Sequence, residues 1–262
     1  MQEVLRYSMP VQALLASVCT WLLTSAGALA VFCFRKPRPV VLNGMLALGA
    51  GIMTASSFWS LLEPSIAYAQ MIGQIPWLVV LTGFLGGALA LLGGDAAVER
   101  LIRRGCMRGD DPARRRRLLM SSITLHNIPE GLVIGIAFGA ALSTGAYRAA
   151  WMLALGIGLQ NVPEGAAISL PLHRDGMPRA QACLYGALSG IVEPIACLMG
   201  ALLAAAARQC LPVMLAFAAG AMMLVVVLEL IPESQREGHR VGMTLALLCG
   251  FALMMVLDVG LS

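Results

Sequence analysis

Polar and charged positions divide this chain into long apolar stretches. Uninterrupted apolar runs fall at about 9–34, 40–62, 72–98, 118–141, 148–171, 178–207, 211–231 and 241–261. Each is close to the roughly 20 residues a helix needs to cross the hydrocarbon core of a bilayer. Lipid offers no partner for backbone N–H and C=O groups, so only helices or closed barrels can span it. Barrel strands would alternate in polarity over about 10 residues, and these runs are continuous. The pattern therefore predicts one all-α polytopic membrane domain over 1–262, with eight transmembrane helices. In the first run, Ala28-Leu29-Ala30 has the small-x-small form of a signal cleavage site. The run's length and its weakly basic start, where Glu3 opposes Arg6, favour a retained helix.

Composition reinforces the membrane reading. Of the 262 residues, 59% are hydrophobic and 12% charged, and the mean hydropathy is +0.81. A soluble domain carries about 25% charged residues, and so much apolar side chain could not be covered in water. The seven cysteines (Cys19, Cys33, Cys106, Cys183, Cys197, Cys210 and Cys249) form no C-x-x-C pair and mostly lie inside apolar runs. They read as small packing residues, without a disulfide or zinc framework. Gly186-x-x-x-Gly190 and the Ala-rich stretch 201–207 read as places where helices approach closely.

Charge sets the orientation. Of the 18 Lys and Arg, all but Arg6, Arg148 and Arg208 fall on one side of the predicted membrane. An excess of Lys and Arg marks the cytoplasmic side, which places both termini outside the cytoplasm and the Arg-rich loop 99–117 inside it. That loop reads as a topology determinant resting near anionic headgroups. The bilayer is thus its expected partner, and nucleic acid is not.

Against this background the ionisable residues inside the runs stand out, because each is costly in hydrocarbon. His126 and Glu130 fall in the fourth run, Glu164 in the fifth and Glu193 in the sixth; Asp95, Glu229 and Asp258 lie nearer run ends. Two six-residue blocks carry most of them: His126-Asn127-Ile128-Pro129-Glu130-Gly131 and Gln160-Asn161-Val162-Pro163-Glu164-Gly165. At about 100° per residue, Glu130 sits roughly 40° from His126 and roughly 60° from Asn127, between them on one helix face. Gln160, Asn161 and Glu164 repeat the arrangement. Each glutamate can therefore share a metal with the residue four before it, with the residue three before it, or bridge both. Two facing copies would make adjacent sites, one with His126 and Gln160, the other with Asn127 and Asn161.

Pro129 and Pro163 each remove a backbone hydrogen bond and kink a helix. Broken backbone is tolerated at membrane depth where it lines a polar cavity, as in transporter binding sites. Glu193-Pro194 adds a third carboxylate beside a third proline. Three clustered carboxylates repel one another unless a cation joins them, and a divalent ion is the simplest one. Imidazole with carboxylate and amide oxygens suits zinc, iron(II), manganese or cadmium, and nothing here suits copper(I). Glu63, at the end of the second run, is either a ligand on the way in or a solvated helix-end acid. Met53 reads on its own as a core methionine.

At these residues the chain resembles the ZIP family of zinc and iron transporters, and within it the GufA-like bacterial branch. The resemblance covers nearly the whole chain. It rests on the two blocks, on Glu193-Pro194, on Glu229-Leu230-Ile231-Pro232-Glu233 and on Leu257-Asp258. It implies a binuclear metal centre between the fourth, fifth and sixth helices. One position would take His126, Glu130, Gln160 and Glu164, with Met53 as a soft fifth ligand. The other would take Asn127, Glu130, Asn161, Glu164 and Glu193. Asp95, Glu229 and Asp258 match acidic positions along the path. The resemblance also implies an elevator-like motion of helices 1, 4, 5 and 6 against 2, 3, 7 and 8. Some relatives have aspartate where Asn161 stands, so the two positions are expected to be unequal. Many carry a histidine-rich loop between the third and fourth helices, whereas loop 99–117 has no histidine. Leu228 stands where close relatives can have a histidine.

The function expected is import of Zn²⁺, with Fe²⁺, Mn²⁺ or Cd²⁺ as further substrates, across a bacterial inner membrane. No phosphate-binding loop is present to couple ATP, and no organic cofactor is expected. A homodimer is a candidate assembly. An intramembrane metalloenzyme with a metal-bound water is the rival, but the chain lacks H-E-x-x-H and an evident general base. A non-transporting metal sensor is a third class, separated from the first by a flux assay.

Overall fold

The computed structural model describes residues 8–33, 39–104, 127–141, 147–174, 176–236 and 239–261. His126 and residues 105–117 of the Arg-rich loop lie outside them. Among the described residues all regular structure is helical. The segments in chain order are α1 (Met9–Cys33), α2 (Val40–Met71), α3 (Pro76–Arg104), α4 (Asn127–Ala141), α5 (Tyr147–Arg174), α6 (Arg179–Ala206), α7 (Leu211–Ser234) and α8 (Arg240–Leu261). Six of them (α1, α2, α3, α6, α7 and α8) contain stretches long and apolar enough to cross a membrane. Their outer faces are apolar, with Leu81, Leu85 and Leu89 on α3 and Leu245, Leu248 and Val256 on α8 all exposed.

Several ends differ from the apolar runs, each for a local reason. The second run stops at Leu62, before Glu63-Pro64, but α2 continues to Met71. Proline lacks an N–H and pushes on the carbonyl four residues earlier; here a π-helical turn over Ser57–Leu62 precedes it and takes up the misfit. The same solution recurs in α7, where the π-turn Val226–Leu230 precedes Pro232. The third run starts at 72, yet Ile72 to Ile75 form a turn. Gly73 takes φ +73°, and Gln74 N–H donates to the Ala69 carbonyl at 2.9 Å, a Schellman-type close that favours glycine. At its other end α3 runs on to Arg104, because Glu99, Arg100, Leu101, Arg103 and Arg104 are good helix formers whatever their polarity. Residues 99–104 are therefore helix and not loop. The sixth run is broken at Gly190-Ile191, between helical halves Arg179–Ser189 and Val192–Ala206.

The closest pairings fall into two groups. In one, α1 lies along α5 and α6, and α4 packs on α6. In the other, α3 pairs with α7 and α2 with α8. Glycine sets the spacing in both. A Cβ on Gly135 of α4 would strike the Cys197 carbonyl of α6, one on Gly165 of α5 the Thr24 carbonyl of α1, and one on Gly220 of α7 the Phe84 carbonyl of α3. Without a hydrophobic drive between helices in lipid, such close backbone contact is the main source of association. Polar links add to the first group: Trp151 Nε1 donates to Gln12 Oε1 at 3.3 Å, and Cys197 Sγ to the Ala13 carbonyl at 3.2 Å. The groups meet where α2 and α8 face α5, and α4 borders a cavity shared with α2 and α7.

Gly220→Val should force α3 and α7 apart. We expect a loss of about 1–3 kcal/mol, read as a lower melting midpoint of the detergent-solubilised protein. Gly44→Ala, whose Cβ meets nothing within 4 Å, should leave the midpoint unchanged or raise it.

Candidate metal centre

The described parts of the two blocks, 127–131 on α4 and 160–165 on α5, are joined by a hydrogen bond from Gln160 to Glu130. Asn127 and Glu130 are buried on α4, Gln160 and Asn161 on α5, and Glu193 at the start of the second half of α6; Glu164 is half-buried. Pro163 sits inside α5 without ending it, and the break at Gly190-Ile191 lets α6 restart with Glu193 in its first turn, where the helix dipole favours an acid.

Hydrogen bonds divide the polar residues into two sets. Gln160 Nε2 donates to Glu130 Oε1 at 2.7 Å, joining α5 to α4. Asn161 Nδ2 donates to both oxygens of Glu193 at 3.1 Å, joining α5 to α6. Glu193 Oε2 also accepts from Thr20 at 2.6 Å and Oε1 from Thr24 at 3.3 Å. In contrast, Glu130 Oε2, Gln160 Oε1, Asn161 Oδ1 and both polar atoms of the Asn127 amide are buried without a hydrogen-bond partner. Orphaned buried acceptors cost about 1–3 kcal/mol each. Four oxygens on α4 and α5 are in that condition.

A cavity of about 710 Å³ opens onto the first set. Met53 from α2, Glu130 from α4, and Gln160 and Glu164 from α5 all line it. Glu229, Arg174 and Arg236 line it as well. Asn127, Asn161 and Glu193 do not line it, so the expected site residues are split into an accessible half and a sealed half. Among the described residues no three His, Cys, Asp or Glu side chains converge closely enough to cage an ion. Met53 and Gln160 are donors of other kinds, His126 lies outside the described residues, and Glu193 accepts from Thr20 and Thr24 of α1.

Residues 113–258 match the family described as ZIP Zinc transporter. The chain is also similar to zinc transporter ZIP11 of Xenopus tropicalis, at 35% identity over 98% of this chain and 99% of the relative. It is 37% identical to zinc transporter ZIPB of Bordetella bronchiseptica, over 95% of this chain and 81% of that protein. It is 42% identical to zinc transporter GufA of Myxococcus xanthus, over 55% and 56%. The chain belongs to the ZIP family. As a ZIP protein with six helices of spanning length and apolarity, it is a multi-pass membrane protein.

The acidic residues expected along a ZIP path are distributed unevenly. Glu229 lines the first cavity. Asp258 lines a second one of about 660 Å³, together with Glu63, and accepts a hydrogen bond from Ser60 at 2.7 Å. The cavities lie toward opposite ends of α2, the first alongside residues 42–53 and the second alongside 59–71. Asp95 borders neither. Each π-turn faces one cavity: Leu228, Glu229 and Leu230 border the first, Trp59 and Ser60 the second. Sequence reasoning overlooked Thr20, Thr24 and Ser60. A signal existed for the threonines, since Ser17, Thr20 and Thr24 recur at helical spacing in an otherwise apolar run, and a polar stripe on a membrane helix calls for a buried partner.

Glu193→Ala would strand the Asn161 Nδ2 donor and break the α1–α6 and α5–α6 links made through this carboxylate. In chelator-treated protein we expect a loss of about 1–3 kcal/mol of stability, measured by thermal melting. Glu164→Ala removes a carboxylate that makes no hydrogen bond among the described residues and repels its neighbours, so it should leave the apo protein as stable as before or more so.

Proposed function

We propose that this ZIP protein carries zinc through the bilayer by way of Glu130 and Glu164, the shared carboxylates of a centre with two neighbouring positions. The observation that carries the reading is the convergence of Met53, Glu130, Gln160 and Glu164 on one cavity, with buried oxygens left unpartnered. His126, four residues before Glu130 in the sequence, completes the first position. Asn127, Asn161 and Glu193 form the second. The names of the relatives support zinc as the substrate; a set of imidazole, carboxylate, amide and thioether donors also admits Cd²⁺, Fe²⁺ and Mn²⁺. The reading is of a transporter and not an enzyme, in keeping with the family.

Direction follows from charge. The first cavity is lined by Arg174 and Arg236, on the Arg-rich side that the positive-inside rule assigns to the cytoplasm, so the ion leaves inward. The protein then resides in the bacterial inner membrane with both termini outside the cytoplasm and with α4 and α5 crossing as well, eight spans in all. The α1–α4–α5–α6 group bears every expected ligand except Met53, and it faces α2 and α8 along α5. That division supports an elevator-type movement in which the first group carries the ion past α2 and α8.

Purified protein in liposomes should take up Zn²⁺ down its gradient. Glu130→Ala and His126→Ala should each reduce the initial rate at least tenfold, while Asp95→Asn, away from both cavities, should change it less than about threefold. Undiminished flux in both of the first two variants would refute the assignment.

A further inference from the structure

The two positions of the centre differ in what an arriving ion finds. At Glu130, one oxygen accepts from Gln160 and the other has no partner. At Glu193, three donors converge: Thr20 on Oε2, Thr24 on Oε1, and Asn161 Nδ2 shared between the two oxygens. A carboxylate offers about four lone-pair directions, so three donors leave Glu193 little to give a metal. Yet the surroundings are prepared for one, because the side-chain oxygens of Asn127 and Asn161 are buried without partners. The second position thus has two waiting amide oxygens and one occupied carboxylate.

The threonines have somewhere else to go. Thr20 Oγ1 lies 2.9 Å from the Ser17 carbonyl, and Thr24 Oγ1 lies 3.2 Å from the Thr20 carbonyl. A hydroxyl has one proton, so each can serve either Glu193 or a carbonyl of its own helix. Turning the O–H from one acceptor to the other requires no rotamer change and leaves no donor stranded. Space is reserved for the cluster by Gly190, where a Cβ would sit 2.9 Å from Glu193 Oε1 and 3.3 Å from Thr24 Oγ1.

Resting on the metal-centre reading above, we propose that Thr20 and Thr24 are a latch on the second ion position, competing with that ion for the carboxylate of Glu193. With the hydroxyls on Glu193 the position is shut and only the first ion binds tightly. With the hydroxyls turned back to the α1 carbonyls, Glu193 joins Asn127 and Asn161 around a second ion. Because the latch sits on α1, it also determines how firmly that helix is tied to α6 while the centre is half-filled.

The test is ion binding by the full-length protein in detergent, using Cd²⁺ titration calorimetry with stoichiometry checked by equilibrium dialysis. Wild type should bind one ion tightly and a second at least tenfold more weakly, the second lost in Glu193→Gln. The isosteric double variant Thr20→Val/Thr24→Val should keep the first affinity within about twofold and tighten the second at least tenfold. Thr20→Ser/Thr24→Ser, which restores the hydroxyls, should return the second affinity to wild type. A second ion unaffected or weakened by the valines, or absent from both proteins, would overturn the latch. Loss of all binding in wild type, or a first ion indifferent to Glu130→Gln, would instead overturn the metal-centre reading itself.

Discussion

A carboxylate at the middle of a membrane helix costs about 2.5–3.5 kcal/mol on insertion scales, and this bundle holds Glu130, Glu164 and Glu193 together. Much of the architecture can be understood as the conditions under which that is tolerable. The helices that bear them must come close, so Gly135 and Gly165 give up side chains where backbones meet. Donors must be supplied from within the protein, so Gln160 is spent on Glu130, and Asn161, Thr20 and Thr24 on Glu193. What remains uncompensated is concentrated on a few oxygens, those of Glu130 and Gln160 on residues that line the cavity and those of Asn127 and Asn161 on residues that do not. The residual cost is placed where a cation can relieve it.

The distribution of that compensation separates binding from holding. Glu130 and Glu164 have few donors and line the cavity, whereas Glu193 takes three donors and is sealed away from it. A cluster of three identical side chains has in this way been differentiated by its neighbours alone. The division follows the helices, since the donors to Glu193 come from α1 and α5 and stitch one group of helices internally. The accessible set draws on Met53 of the other group.

Much of this was legible in the sequence, and the family was recognisable from its motifs. Long apolar runs with few charges pointed to membrane helices because lipid admits little else, and the repeated Pro-Glu-Gly blocks stood out because charge in hydrocarbon is expensive. The misreadings arose where helix-breaking residues did not break helices. Glu63-Pro64 looked like an end, but the π-turn before it carries α2 onward; Glu99 to Arg104 looked like loop because they are charged, though they are good helix formers. Residues of modest hydropathy were also hard to weigh. Thr20 and Thr24 pass unnoticed in an apolar run, and only the position of Glu193 across the α1–α6 contact gives them a partner. Spacing along one helix can place Glu130 between His126 and Asn127, but it cannot tell which neighbouring helix will claim a carboxylate's lone pairs.

The paired π-turns of α2 and α7 have a consequence for register. Such a turn holds one residue more than the α-helical turn it replaces, so everything beyond it is rotated by about 100° relative to an unbroken α-helix. The rotation decides which residues of Glu63–Met71 on α2 and of Ile231–Ser234 on α7 look into the protein. Shortening either turn by one residue would preserve a continuous helix and nearly the same length, yet would swing Glu63 or Glu233 to a different face. Alignments of such helices can therefore agree on every residue and still misstate which ones share a wall, if one chain carries the extra residue and the other does not.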